Sequence, residues 1–257
     1  MATDIPFAPP SYTPAVPALR RVLRKGMRSG RRVLDKLGEG LAARSAYGDR
    51  PVFDAHAFPW VHPLEQHWHD MRAELERVLA FRGRIPNFQD ISPDQAHLTQ
   101  GHAWKTFFLH AYGYRSEVNC RRCPRTAQLV ETIPGMKTAF FSILGPRTHV
   151  PAHRGPYKGL LRYHLGLVVP HPERCRLRVD QHLLQWEEGK SLMFDDTYEH
   201  EVWNDSAQDR VVLFVDVLRP LPHPWHAINQ ALVGAVSLSP FVQDAVQRFR
   251  AFETATD

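Results

Sequence analysis

The chain has 257 residues, 43% of them hydrophobic and 23% charged, and a net charge of +5. This composition belongs to a folded globular protein with one sizeable core, and it excludes disordered and fibrous classes. No apolar run reaches the roughly 18 residues of a membrane-spanning helix, and three cysteines exclude a disulfide scaffold.

Residues 1–17 hold five prolines and no apolar block after a basic start, so they are expected to be an irregular tail and not a secretory signal. A cytoplasmic location is the default expectation, and a basic segment next to this tail leaves membrane association open. Residues 18–44 carry nine Lys/Arg against Asp35 and Glu39, a local +7, which leaves the rest of the chain at about −2. Within this segment Leu19, Leu23, Met27, Leu34, Leu37 and Leu41 recur at helical spacing. The segment 18–46 is therefore expected to be a basic amphipathic arm, weakened by four glycines. Packing on its own domain, peripheral contact with an anionic membrane, and a nucleic-acid or protein partner are its three readings. A chain-wide nucleic-acid surface is not expected.

The remaining residues, 47–257, read as one domain. Leu64, Trp68, Met71, Leu75 and Leu79 predict a helix over residues 62–80, and a second short helix is expected over 123–133, ended by Pro134-Gly135. Cys120 and Cys123 form a lone CxxC without a second cysteine pair. An ordinary buried pair is the favoured reading, with redox or zinc chemistry as the alternative. From about residue 103 the pattern shortens to strands: 105–111, 138–144, 160–169, 176–179, 183–186, 191–194, 201–203 and 210–218. Eight short strands at this spacing predict a mainly β protein, a jelly roll with its core over about 104–220, supported by N- and C-terminal helices. Residues 219–257 leave the sheets through Pro220, Pro222 and Pro224 and form one or two of those helices.

His153-Arg-Gly155 and His200 are the candidate chemistry. Two neutral imidazoles suit Fe(II), Zn or Cu, and a 2-His-1-carboxylate iron site would have its acid at position 155, where this chain has glycine. The literal HxE at His171-Pro172-Glu173 falls in a charged hairpin tip and is disfavoured. Asp195, Asp196 and Glu199 stand close to His200 and are candidates to orient a ligand or offset its charge.

Several segments closely resemble the aspartyl/asparaginyl beta-hydroxylase family of Fe(II)- and 2-oxoglutarate-dependent dioxygenases. They are WKTFFL (104–109), CPRT (123–126), THVPAHRGP (148–156), LRYHLGLVVP (161–170), WEEGKSLMFDDTYEHEVWN (186–204) and RVVLFVDVLRP (210–220). The resemblance implies the double-stranded β-helix, cupin-like form of the jelly roll. It implies iron ligands at His153 and His200, with water in place of the third ligand. Arg210, helped by Ser142, is matched to the distal carboxylate of 2-oxoglutarate, as a guanidinium fork suits a carboxylate. His164 is matched to the co-substrate's other end and Arg162 to the carboxylate of the target residue. Fe(II), 2-oxoglutarate and O₂ are the implied cofactor and co-substrates, and succinate and CO₂ the co-products.

Family members act on Asp/Asn side chains, on free amino acids or small peptides, or on lipid A acyl chains. The lipid-modifying relatives resemble this chain in RYHLGL and CPRT but carry Asp at the position of Gly155 and an N-terminal apolar anchor. That difference favours β-hydroxylation of an Asp/Asn residue or related amino acid, in a peptide, a protein or a small molecule. The alternatives are hydroxylation of a lipid A-type acyl chain at a membrane surface, and a non-catalytic jelly-roll binding protein. Intact His153, His200 and Arg210 favour an enzyme over the last.

Overall fold

The computed structural model describes residues 34–92, 97–99 and 103–256. The expected irregular tail (1–17) and most of the basic arm lie outside the described residues. The arm's end, residues 34–42, is helical as its leucine spacing predicts, and it is called α1.

The expected helix 62–80 is two helices, α2 (Val61–Gln66) and α3 (Trp68–Leu79), broken at His67. After the short α4 (Phe88–Ile91), capped reciprocally by Asn87 and Asp90, the chain enters the sheet region. The helix expected over 123–133 is α6 (Pro124–Glu131), and a short α5 (Glu117–Arg122) that was not foreseen precedes it. Pro124 starts α6, a position where its missing N–H costs nothing. Buried Glu74 of α3 accepts hydrogen bonds from the Arg125 and Thr126 amides, both 2.9 Å, and so ties α3 to the start of α6.

Eleven strands follow in chain order: β1 (Val52–Phe53), β2 (Trp104–Ala111), β3 (Tyr114–Arg115), β4 (Met136–Leu144), β5 (Thr148–His153), β6 (Leu160–Val168), β7 (Cys175–Val179), β8 (His182–Gln185), β9 (Ser191–Phe194), β10 (His200–Asn204) and β11 (Arg210–Leu218). They build two antiparallel sheets, ordered β1-β9-β6-β11-β4-β2-β3 and β5-β10-β7-β8. β11 is buried along its whole length because it is central in the larger sheet and covered on both faces. One face packs on α2, α3 and α6 through Leu64, Met71, Leu75 and Val130. The other faces the smaller sheet, where Leu177, Val179 and Trp186 meet Phe140, Val212 and Phe214. Two C-terminal helices complete the fold, α7 (Trp225–Ser237) and α8 (Pro240–Thr256), and Val246 and Phe249 of α8 join the inter-sheet core.

The expectation of a mainly β jelly roll, a cupin-like double-stranded β-helix, is corrected here. Helical and strand residues are about equal in number, so the fold is mixed α and β. The two sheets share no ladder and stay open, with β1 and β3 at the edges of one and β5 and β8 at the edges of the other. Helix α8 contributes four apolar side chains to the layer between them. Strand periodicity tells where strands lie, but closure depends on hydrogen bonds between edges, which periodicity does not encode.

Candidate active site

The two sheets face each other, and the predicted residues line the space between them. His153 ends β5 and His200 begins β10, directly opposite in register, with ring centroids 4.1 Å apart. Each ring is held the same way. His153 Nδ1 lies 2.8 Å from the Pro151 carbonyl and His200 Nδ1 lies 3.0 Å from the Tyr198 carbonyl. A carbonyl can only accept, so each Nδ1 carries the hydrogen and each Nε2 keeps a lone pair for a metal. Burial lowers both pKa values, that of His200 to about 3, which keeps the imidazoles neutral.

From the larger sheet, β6 presents Arg162 and His164 two residues apart, hence on one face. His164 is fully enclosed by Trp186, Phe194 and Phe214, at centroid distances of 5.8, 5.1 and 4.9 Å. Neither of its ring nitrogens has a hydrogen-bond partner. Burial pushes its pKa well below the ordinary imidazole value. The Phe194 ring also touches His200, at 5.9 Å, and so joins the two parts of the site. Arg210, the first residue of β11, is buried with its guanidinium 4.3 Å above the Trp186 ring. No carboxylate pairs with it among the described residues, its Nε lacks a partner, and burial lowers its pKa to about 10. Ser142 lies on the neighbouring β4, opposite Val212, where its Oγ accepts from Trp104 Nε1 at 3.0 Å and keeps its own hydrogen to donate.

Arg162 is differently placed. It pairs with Asp196 at 2.9 Å and Asp216 at 3.0 Å, and it stacks on Phe214. Asp196 stands against Gly155, whose amide donates to the Asp196 carbonyl at 2.7 Å. A Cβ on residue 155 would lie 2.2 Å from the Asp196 carboxyl carbon. The Asp196 carboxylate, two residues past β9, thus fills the space beside Gly155, and a side chain at 155 would have to displace it. Burial raises the Asp196 pKa to about 6, although Arg162 opposes the shift.

The other acids near His200 point elsewhere. Asp195 is locked by Arg219, by Lys158 and by the Thr197 amide and hydroxyl, while Glu199 lies at the surface with Arg178. His171 and Glu173 form an exposed pair 3.5 Å apart, outside the inter-sheet layer. Cys120 and Cys123 are buried free thiols, whose pKa burial raises to about 11 and about 12. His110, Cys120 and Glu131 bring ligand-type atoms within 4.8 Å of one another, but Glu131 already holds Arg115 at 2.9 Å. A guanidinium on that same oxygen disfavours a cation there.

Two participants went unread in the sequence. Asp216 was signalled as a lone acid inside the apolar strand RVVLFVDVL, and Trp186 as the aromatic that opens WEEGKS.

Comparison with known proteins shows the family to which the chain belongs. The family model for Aspartyl/Asparaginyl beta-hydroxylase matches residues 65–220. The ornithine lipid ester-linked acyl 2-hydroxylase of Rhizobium tropici is 46% identical over 207 residues, covering 80% of this chain and 74% of that protein. Human aspartyl/asparaginyl beta-hydroxylase is 37% identical over 177 residues, covering 64% of this chain and only 23% of the human protein. Among solved structures, a cupin domain from an Enterobacter cloacae transcriptional regulator overlaps 47% of this chain and 99% of its own at 12% identity and a TM-score of 0.32, too loose to carry an argument. The chain belongs to the aspartyl/asparaginyl beta-hydroxylase family and is an enzyme of the hydroxylase class.

Proposed function

We propose that this enzyme hydroxylates carbon 2 of an ester-linked acyl chain in an ornithine-type lipid, using Fe(II), O₂ and 2-oxoglutarate. The observation that carries the substrate is the match to the Rhizobium acyl 2-hydroxylase, which runs along 80% of this chain. Arg162 supports it independently. In a peptide hydroxylase this residue should be free for the target carboxylate, whereas here two buried acids already neutralise it. Gly155, taken in the sequence as favouring a peptide substrate, is accounted for by its contact with Asp196 and does not discriminate between substrates.

The donor set fits the proposed cofactors. The Nε2 atoms of His153 and His200 would hold the iron, and Asp196 would offset its charge from beside Gly155. Arg210 is a buried cation with no carboxylate partner among the described residues, a desolvation cost that an anionic ligand would offset. It would take one carboxylate of 2-oxoglutarate with help from the Ser142 hydroxyl, and the unpartnered nitrogens of His164 would meet the other end. When bound, iron and 2-oxoglutarate supply the oxidising power: one oxygen atom of O₂ enters the C–H bond and the other ends in succinate, with loss of CO₂. The chain's own residues would fix the co-substrate and hold two imidazoles neutral, with Phe194 against His200 and with Trp186 and Phe214 against His164 walling the space from water.

The test is incubation with an ornithine lipid and, separately, with an Asp-containing peptide, followed by mass spectrometry. The lipid is expected to gain one oxygen, located on carbon 2 by fragmentation, with stoichiometric succinate. Oxygen gained by the peptide alone would overturn the assignment.

A further inference from the structure

We infer that α7, together with α1, forms a docking face for an anionic lipid bilayer. The inference deepens the acyl-chain reading and rests on it for its purpose, because a lipid-modifying enzyme must reach chains packed in a membrane. From residue 220 to residue 243 the sequence contains no Asp, Glu, Lys or Arg. Helix α7 lies inside that run. Its inner face is fastened by Asn229 and Val233, which are buried. Its outer face carries Ile228, Ala231, Ala235 and then Leu238, at spacings of three and four residues, all exposed.

Large apolar side chains are seldom left in water together. The large hydrophobics exposed among the described residues are Leu37 at 45%, Leu183 at 58%, Ile228 at 42%, Val236 at 36% and Leu238 at 76%. Leu37 belongs to α1, and the last three to α7 and its C-cap. The two helices pack together through Leu41 and Val233, with Leu34, Trp225 and Leu232 around them, and the Arg44 guanidinium lies 4.3 Å over the Trp225 ring. Charge complementarity identifies what covers this face. Residues 18–33, which lead straight into α1, contain seven Lys/Arg and no acid. An uncharged apolar helix, packed with a helix that a run of positive charge precedes in sequence, is the combination that binds anionic headgroups while burying side chains at the acyl boundary.

The face is also coupled to the site. Asn229 accepts from the Tyr157 hydroxyl at 2.9 Å and donates to the Gly159 carbonyl at 2.8 Å. Tyr157 and Gly159 belong to the loop that runs from His153 past Gly155 to the strand of Arg162 and His164. Docking through the outer face of α7 would therefore leave one helix between the bilayer and the loop that borders the candidate active site.

The experiment is sedimentation of the full chain with phosphatidylcholine vesicles, with and without phosphatidylglycerol, alongside a melting curve for each variant. Binding to the anionic vesicles is expected, and Ile228→Glu with Leu238→Glu should weaken it about tenfold or more at an unchanged melting temperature. Replacing Arg20, Arg21 and Arg24 by Gln should remove the preference for phosphatidylglycerol, and Leu183→Glu should change nothing. Absence of binding, or equal loss in Leu183→Glu, overturns the docking face. So does a dimer that Leu238→Glu dissolves without any vesicle binding, since a second copy would then cover α7. Turnover of detergent-dispersed lipid without vesicle binding sinks the docking face alone. Vesicle binding without turnover of that dispersed lipid supports docking and sinks the substrate reading.

Discussion

At His164 the proposed function and stability pull apart in a single side chain. Its two nitrogens are buried without partners, and a buried unsatisfied polar atom costs about 1–3 kcal/mol. Burial holds its folded-state pKa well below 6.5, so below pH 6.5 the unfolded chain binds the proton that the folded protein refuses. The stability associated with the neutral ring is therefore full above pH 6.5 and declines as pH falls. His164→Phe keeps the shape inside the cage of Trp186, Phe194 and Phe214 and removes the titration. Melts of the metal-free variant are expected to show stability raised by about 1–3 kcal/mol, a shallower loss toward acid, and a 2-oxoglutarate affinity reduced at least tenfold. Gly155 makes the opposite case. Gly155→Ala must displace the Asp196 carboxyl, and melting should register a loss of about 1–3 kcal/mol. Restoring an acid with Gly155→Asp is expected to weaken iron binding, measured by equilibrium dialysis, because the new side chain and Asp196 compete for one space. The pair of histidines, Arg210 and Ser142 could be picked out from motif segments. The contact between Gly155 and Asp196 could not, since 41 residues separate them and the loop-to-loop approach leaves no periodic trace.

Elements with continuous or alternating apolar patterns between turn residues were legible almost to the residue, as with Ser191–Phe194 and Arg210–Leu218. The chain turns at Glu188-Gly189 before β9, with Gly189 at φ +72°, where Trp68 also crowds the missing Cβ. β5, which carries His153, was not foreseen. It is an edge strand with exposed residues and a proline at 151, which a central strand would not tolerate. The short β1 and β3 escaped because two residues give no period. What ties the end of β9 to the end of β11, across β6, is equally hidden in sequence. Asp195 and Arg219, both fully buried, pair with each other, and Arg219 also donates to the carbonyls of Lys158 and Gly48. Removing one member of a buried pair strands the other charge, which costs about 3–5 kcal/mol. Chemical denaturation of Asp195→Ala should show a loss of that size, and a loss under about 1 kcal/mol would mean that the pair is not structural.

The whole molecule is a two-sheet sandwich, with helices on the outer face of the larger sheet and α8 entering the layer between the sheets. α2, α3 and α6 make the back of the larger sheet rigid, and its front presents Arg162, His164, Arg210 and Ser142 toward the smaller sheet with His153 and His200. The positions of the longer strands could be anticipated from sequence, whereas the equal share of helix and the open sheets could not. Whether those six residues act as one site is decided by an anaerobic titration of Fe(II) and 2-oxoglutarate, followed by the weak visible charge-transfer band that such a chelate gives. The wild-type chain is expected to develop the band, His153→Ala to lose it, and Arg210→Met to need at least about tenfold more 2-oxoglutarate to reach it. A band that is absent from the wild type, or unchanged in both variants, would contradict the assignment.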